Sequence, residues 1–124
     1  MIYNENYKVK FYCDNQTGYS PVNEYLNSLD LKIRAKIYKY IEFLRSHDGY
    51  LDEPYSKHIQ DKIRELRVDF ANGRYRLLYF SFVNKNIIFL HIFLKKTAKT
   101  PNREIKIARQ RYNEVINNPK IYES

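Results

Sequence analysis

The sequence predicts a single α+β domain over residues 1–124, with a mainly antiparallel sheet packed on a helical hairpin in the order β-α-α-β-β-β-α. Three observations carry that expectation. Residues 7–13 and 63–94 form strand-length segments that alternate or run apolar between Asn- and Gly-containing turns. Residues 20–49 and 102–117 place apolar side chains at helical spacing. Finally, 124 residues at 44% hydrophobic content suffice for one core and not for two.

Each element has its own signal. From Tyr7 to Cys13, apolar Tyr7, Val9, Phe11 and Cys13 alternate with Lys8, Lys10 and Tyr12, the period of a half-buried strand. Ser20 before Pro21 reads as an N-cap with proline at the first helical position, and Val22, Tyr25, Leu26 and Leu29 continue a short helix toward Asp30. Asp30 is placed to cap a longer helix whose stripe is Ile33, Ile37, Ile41 and Leu44, with Gly49 as its stop. Residues 63–68 alternate as a second strand. After the Ala71-Asn72-Gly73 turn, Tyr75 to Val83 is a third, and after Asn84-Lys85-Asn86, Ile87 to Leu94 is a fourth. That last run is apolar except at His91, as expected of a central strand covered on both faces. A final helix is expected from about Asn102 to Asn117, with Ile105, Ala108, Tyr112, Val115 and Ile116 inward. Lys57 and His58 precede the second strand on what reads as a loop that could approach the sheet edge where that strand ends.

Composition narrows the function classes. A lone Cys13 cannot form an internal disulfide, and Met1 to Lys10 has no continuous apolar region for a signal peptide or spanning helix, so the expectation is a cytoplasmic protein without a membrane partner. Net charge is +8, unevenly spread: residues 1–60 carry eight Lys/Arg and eight Asp/Glu, whereas residues 61–124 carry fourteen and six. An acidic or phosphate-bearing partner should therefore meet the second half.

The sequence has no His-x-x-x-His or Cys-x-x-Cys spacing, no Gly-rich phosphate loop and no Gly-x-Ser-x-Gly elbow, so neither a metal nor a cofactor is expected. What remains is cations at the ends of the expected strands: Arg67, Arg74 and Arg76, then Lys95, Lys96 and Lys99. In an antiparallel meander these converge on one edge; a solvated rim is the plain alternative. Arg76, between Tyr75 and Leu77, needs an anion, which is either a ligand or Glu65 on the neighbouring strand. A metal-free cation cleft suits RNA cleavage by the substrate's own 2′-hydroxyl, because cations stabilise the extra charge of the phosphorane. A lysine with its pKa lowered among neighbouring cations could serve as base, which makes Lys95, Lys96 and Lys99 candidates. His91 is a candidate for proton transfer, though a hydrogen-bonded sheet histidine is the simpler reading.

Glu53-Pro-Tyr-Ser-Lys-His-Ile59, Glu65-Leu-Arg-Val68, Tyr75-Arg-Leu-Leu-Tyr79 and Leu90-His-Ile-Phe-Leu-Lys-Lys-Thr-Ala-Lys-Thr-Pro-Asn-Arg-Glu-Ile105 together resemble the phage-derived, HigB-like branch of the RelE/ParE toxin superfamily. The resemblance spans nearly the whole chain, and Phe-x-Lys-Lys-Thr-x-Lys-Thr-Pro is its most specific part. It implies a RelE-like fold and a ribosome-dependent messenger RNA endonuclease, neutralised by a HigA-like helix-turn-helix antitoxin. It places Arg76 at the scissile phosphate, Lys96 as a second catalytic cation and Arg67 among further basic residues. Lys57, Lys99 and Arg103 are expected RNA contacts, and His58 a second candidate for proton transfer. The tyrosine that RelE toxins carry after the last strand has no counterpart, since residues 100–103 read Thr-Pro-Asn-Arg and Tyr112 lies in an apolar stripe. Two alternatives stand beside the nuclease: a ParE-like toxin that binds DNA gyrase without cutting RNA, and a basic module that binds structured nucleic acid.

Overall fold

A computed structural model describes residues 7–123; residues 1–6, on which part of the N-terminal expectation falls, lie outside the described residues. The elements are β1 (Lys8–Phe11), α1 (Pro21–Asn27), α2 (Leu31–Ser46), β2 (Ser56–Gln60), β3 (Ile63–Phe70), β4 (Gly73–Phe82), β5 (Asn86–Leu94) and α3 (Asn102–Asn117), with 3₁₀ turns at Val83–Lys85 and Pro119–Tyr122. The architecture is α+β, as expected, with a mostly antiparallel sheet consistent with the RelE-like fold.

The sheet has five strands in the order β1-β5-β4-β3-β2, with β1 parallel to β5 and the rest antiparallel. The segment expected to be a loop is therefore an edge strand. Its side chains hide it: Ser56 is buried, Ile59 half-buried, and Lys57, His58 and Gln60 are exposed, so β2 lacks an apolar alternation and is held by its ladder to β3. The element order becomes β-α-α-β-β-β-β-α.

Helices cover both faces. On one, Val22 and Leu26 of α1 and Ile37, Ile41 and Leu44 of α2 pack with Leu66, Val68, Leu77, Tyr79, Ile87, Phe89 and Ile92. On the other, Ala108 and Val115 of α3 meet Ile63, Leu78, Phe80, Ile88, Leu90 and Phe93. Burying each large side chain contributes about 1.5–3 kcal/mol, so these two layers dominate stability. Tyr112 stacks edge-on to Phe80, ring centroids 4.6 Å apart, as a core residue, whereas Ile116 stays 42% exposed outside the expected stripe. Ser20 caps α1, accepting from the Asn23 amide at 3.2 Å. Asp30 occupies the N-cap position of α2, but its carboxylate makes no capping bond. Beyond α2, Gly49 takes φ +77° while its amide donates to Leu44 O at 3.0 Å, the left-handed stop that glycine accommodates.

One irregularity positions the site. Leu78 pairs with His91 and Tyr79 with Phe89, leaving Leu90 as an extra residue in β5. Such a bulge shifts strand phase by one. Before it the α3 side receives Ile88 and Leu90; after it, His91, opposite Leu78, and then Phe93.

Candidate functional site

Along β4 the side chains directed to the α3 face are Phe80, Leu78, Arg76 and Arg74, and their partners on β3 include Glu65, Arg67 and Asp69. α3 covers only the apolar end of this series, because its N-terminus is set by Pro101, after β5 has ended at Leu94. The charged end opens into a cleft of about 260 Å³ whose walls include Lys57, Glu65, Arg67, Lys95, Lys99 and Thr100. Lys57 reaches it because β2 pairs Lys57 with Glu65, which puts both on one face.

Glu65 is the centre of this arrangement. Only 1% exposed, it accepts from Arg67 Nε at 3.3 Å on Oε1 and from the Thr100 hydroxyl on Oε2, with Arg76 Nε 4.0 Å away. The contact with Thr100 ties the loop after β5 down onto the sheet. Arg76, 6% exposed, donates from Nη1 to Asp69 Oδ1 at 2.8 Å and to its own neighbour's carbonyl, Tyr75 O, at 2.9 Å, while its Nε is buried without a hydrogen-bond partner. The anion Arg76 needs is thus supplied chiefly by Asp69, with Glu65 second. Arg76 lies beneath the cleft, and Arg67, Lys57 and Lys99 present the accessible cations.

Lys95 extends this face from the end of β5, its amide donating to Arg74 O at 2.8 Å. Only 8% exposed, its ammonium has its pKa lowered by burial first; Glu65 opposes this, and Arg76, Arg67 and Arg74 add to it. A buried amine among guanidiniums releases its proton more readily than a surface lysine, the property required of a general base.

The structure separates other candidates from this cleft. Lys96 and Arg103 line a neighbouring groove with Tyr25, Phe93, Leu94, Thr97, Pro101 and Glu104, on the far side of the loop. The bulge at Leu90 explains the exchange of Lys95 for Lys96: unbroken alternation from Leu90 would have put residue 96, not 95, on the α3 face. His58 borders the cleft from β2, its Nε2 bonded to Asp61 O at 2.7 Å. His91 lies apart, Nε2 2.6 Å from Glu104 Oε1 and Nδ1 3.4 Å from Arg111 Nη1. Burial pushes its imidazole pKa down, Glu104 opposing and Arg111 adding, so a neutral ring donating Nε2–H to Glu104 fits both partners.

Sequence reasoning treated Glu65 only as a partner for Arg76 and passed over Asp69 and Thr100. The signal for Glu65 was its alternation with Arg67 on one strand face. Thr100 carries no signal of its own, because its role depends on where the loop lands. Among the described residues no three of His, Cys, Asp or Glu gather closely enough to hold a metal ion, and no helix is long and apolar enough to cross a membrane.

No curated protein matches the chain. Residues 24–113 match the family described as phage derived protein Gp49-like (DUF891), a span that runs from α1 through the basic cleft and most of α3. With well over half its length in that match, the chain belongs to the Gp49-like phage-derived family, which is associated with RelE/ParE-like toxins.

Proposed function

We propose that this chain is the HigB-like toxin of a type II toxin–antitoxin pair and acts as a metal-independent endonuclease on ribosome-bound messenger RNA. The observation that supports this reading best is the cleft in which Lys57, Arg67, Lys95 and Lys99 surround the buried Glu65 carboxylate. Its positive charge exceeds what Glu65 and Asp69 neutralise, and a phosphodiester is the anion whose charge increases during reaction.

In the proposed reaction the 2′-oxygen bonds to phosphorus as the bond to the 5′-oxygen breaks, leaving a 2′,3′-cyclic phosphate and a 5′-hydroxyl. Lys95, deprotonated, takes the 2′-hydroxyl proton; His58, at the rim, returns one to the departing 5′-oxygen. Arg67 binds the non-bridging oxygens, while Glu65 fixes the Arg67 guanidinium and, through Thr100, the loop that carries Lys99. Arg76 acts from below as a positioning residue through Glu65 and Asp69. The partner is a helix-turn-helix antitoxin that covers the cleft with acidic or apolar side chains, and the setting is the cytoplasm.

Induction of the chain, with primer extension on ribosome-associated transcripts, tests the proposal. The unaltered chain cuts messages, and Arg67→Ala lowers cleavage by about 10²–10³-fold while retaining its fold, the scale of removing one transition-state donor. Whole transcripts together with falling gyrase activity would replace this reading with the ParE-like one.

A further inference from the structure

The groove beside the cleft has a composition the proposed reaction does not use. Tyr25, Phe93, Leu94 and Pro101 give it apolar and aromatic walls, and it also carries Lys96, Arg103 and the Glu104 carboxylate, which accepts from Arg103 Nε at 3.3 Å. At about 330 Å³ it lies at the small end of ligand pockets. It exists because β1 stops early: β1 pairs with β5 only as far as Phe11 opposite Phe89, so among the described residues the stretch from Leu90 to Leu94 has no strand beside it on that side. Helix α1, carrying Tyr25, lies against β5 instead.

The two cavities are walls of one loop. Lys95, Ala98, Lys99 and Thr100 face the basic cleft; Lys96, Thr97 and Pro101 face the groove. Lys95 and Lys96 are consecutive, their Cα atoms ~3.8 Å apart, so a phosphate held on one side lies within a nucleotide's reach of the other. An aromatic slot with cations beside it, next to a phosphate-binding cleft, is what proteins offer an unstacked base of single-stranded RNA.

We infer that this groove is a nucleobase subsite: an unpaired base next to the phosphate in the basic cleft inserts between Tyr25 and the Lys96–Pro101 segment, with Lys96 and Arg103 on the following phosphate. The inference rests on the RNA-binding reading of the basic cleft. It assigns Tyr25 to substrate positioning and makes the groove the place where sequence preference arises.

The test is fluorescence anisotropy with the full chain and a short 2′-O-methyl RNA, which cannot be cleaved, at several salt concentrations. Tyr25→Ala, and independently Thr97→Trp, which fills the groove from an exposed position, weaken binding between about 5-fold and 150-fold, the worth of one stacked base. Tyr25→Phe keeps most of the affinity, and an abasic residue at one position of the RNA weakens the unaltered chain but not Tyr25→Ala. The salt dependence of Tyr25→Ala stays that of the unaltered chain, because its phosphate contacts remain. If Tyr25→Ala and Thr97→Trp bind as tightly as the unaltered chain while Arg67→Ala binds weakly, the subsite is refuted and the basic cleft stands. If Arg67→Ala binds as well as the unaltered chain, or the unaltered chain shows no binding, the reading on which the subsite rests fails with it.

Discussion

The two halves of the α3-side sheet face share strands and ladders and differ in almost everything else. At one end Ile63, Leu78, Phe80 and Ile88 are sealed under Ala108, Tyr112 and Val115. At the other, Glu65, Arg67, Asp69, Arg74 and Arg76 continue the same rows with charge. On the opposite face, α1 and α2 cover apolar side chains as far along β3 and β4 as Val68 and Tyr75, in the same part of these strands where the α3 face is charged. A helix that begins late therefore divides one face into a half that holds the fold and a half that can bind an anion. Packing and charge separate along the strands, not between elements.

The sharpest way to break this division is to remove packing from the covered half. Phe80→Ala, at a ring 1% exposed and stacked on Tyr112, is expected to lower unfolding free energy by about 3–5 kcal/mol in urea titrations. A loss below ~1 kcal/mol would mean that the sealed half does not hold the fold. In the charged half, Glu65→Gln keeps the shape but removes the charge facing Arg67, Arg76 and Lys95; it should cost about 1–3 kcal/mol and further lower the Lys95 pKa by removing the group that opposes the shift.

Lys95→Met sharpens the contrast by moving stability and the proposed cleavage in opposite directions. Because Lys95 binds its proton less tightly folded than unfolded, its contribution to stability rises as pH climbs from its depressed folded value toward the ordinary lysine value near ~10.4. The methionine variant should be the more stable below that window, lose the rise with pH, and fail to cut RNA; chemical denaturation across pH 7–10.5 measures the first two. The smallest effect lies in the turn joining the two charged strands. Ala71 sits at φ +53°, where an alanine is strained, so Ala71→Gly should gain about 0.4–1 kcal/mol with cleavage unchanged.

Much of this was legible in the sequence, for reasons that differ by element. Strong periodicity fixed α2, α3 and the β3–β4–β5 meander to within a few residues, and Ser20-Pro21 marked the start of α1 almost to the residue. The β2 strand was illegible because an edge strand needs apolar side chains only where something covers it, and here the ladder to β3 does the work. The second-half charge excess pointed to strands whose ends the structure brings together, gathering Arg67, Lys95 and Lys99 but not Lys96 or Arg103. Which lysine joined the cleft could not be read: in the uninterrupted apolar run from Ile87 to Leu90 neither face is marked, so the sequence cannot reveal where the phase shifts. The buried role of Glu65 was hidden for a related reason, since it depends on a loop threonine 35 residues away in the chain.

The extra leucine in β5 has one more consequence. Because it decides which of two neighbouring positions faces each cavity, a chain that lost or gained a single residue in this strand would exchange those positions. Here both are lysine, so either alignment delivers an ammonium to each side of the loop. The doublet keeps a positive charge on both sides of the loop whichever phase the strand takes, a tolerance that a single lysine could not provide.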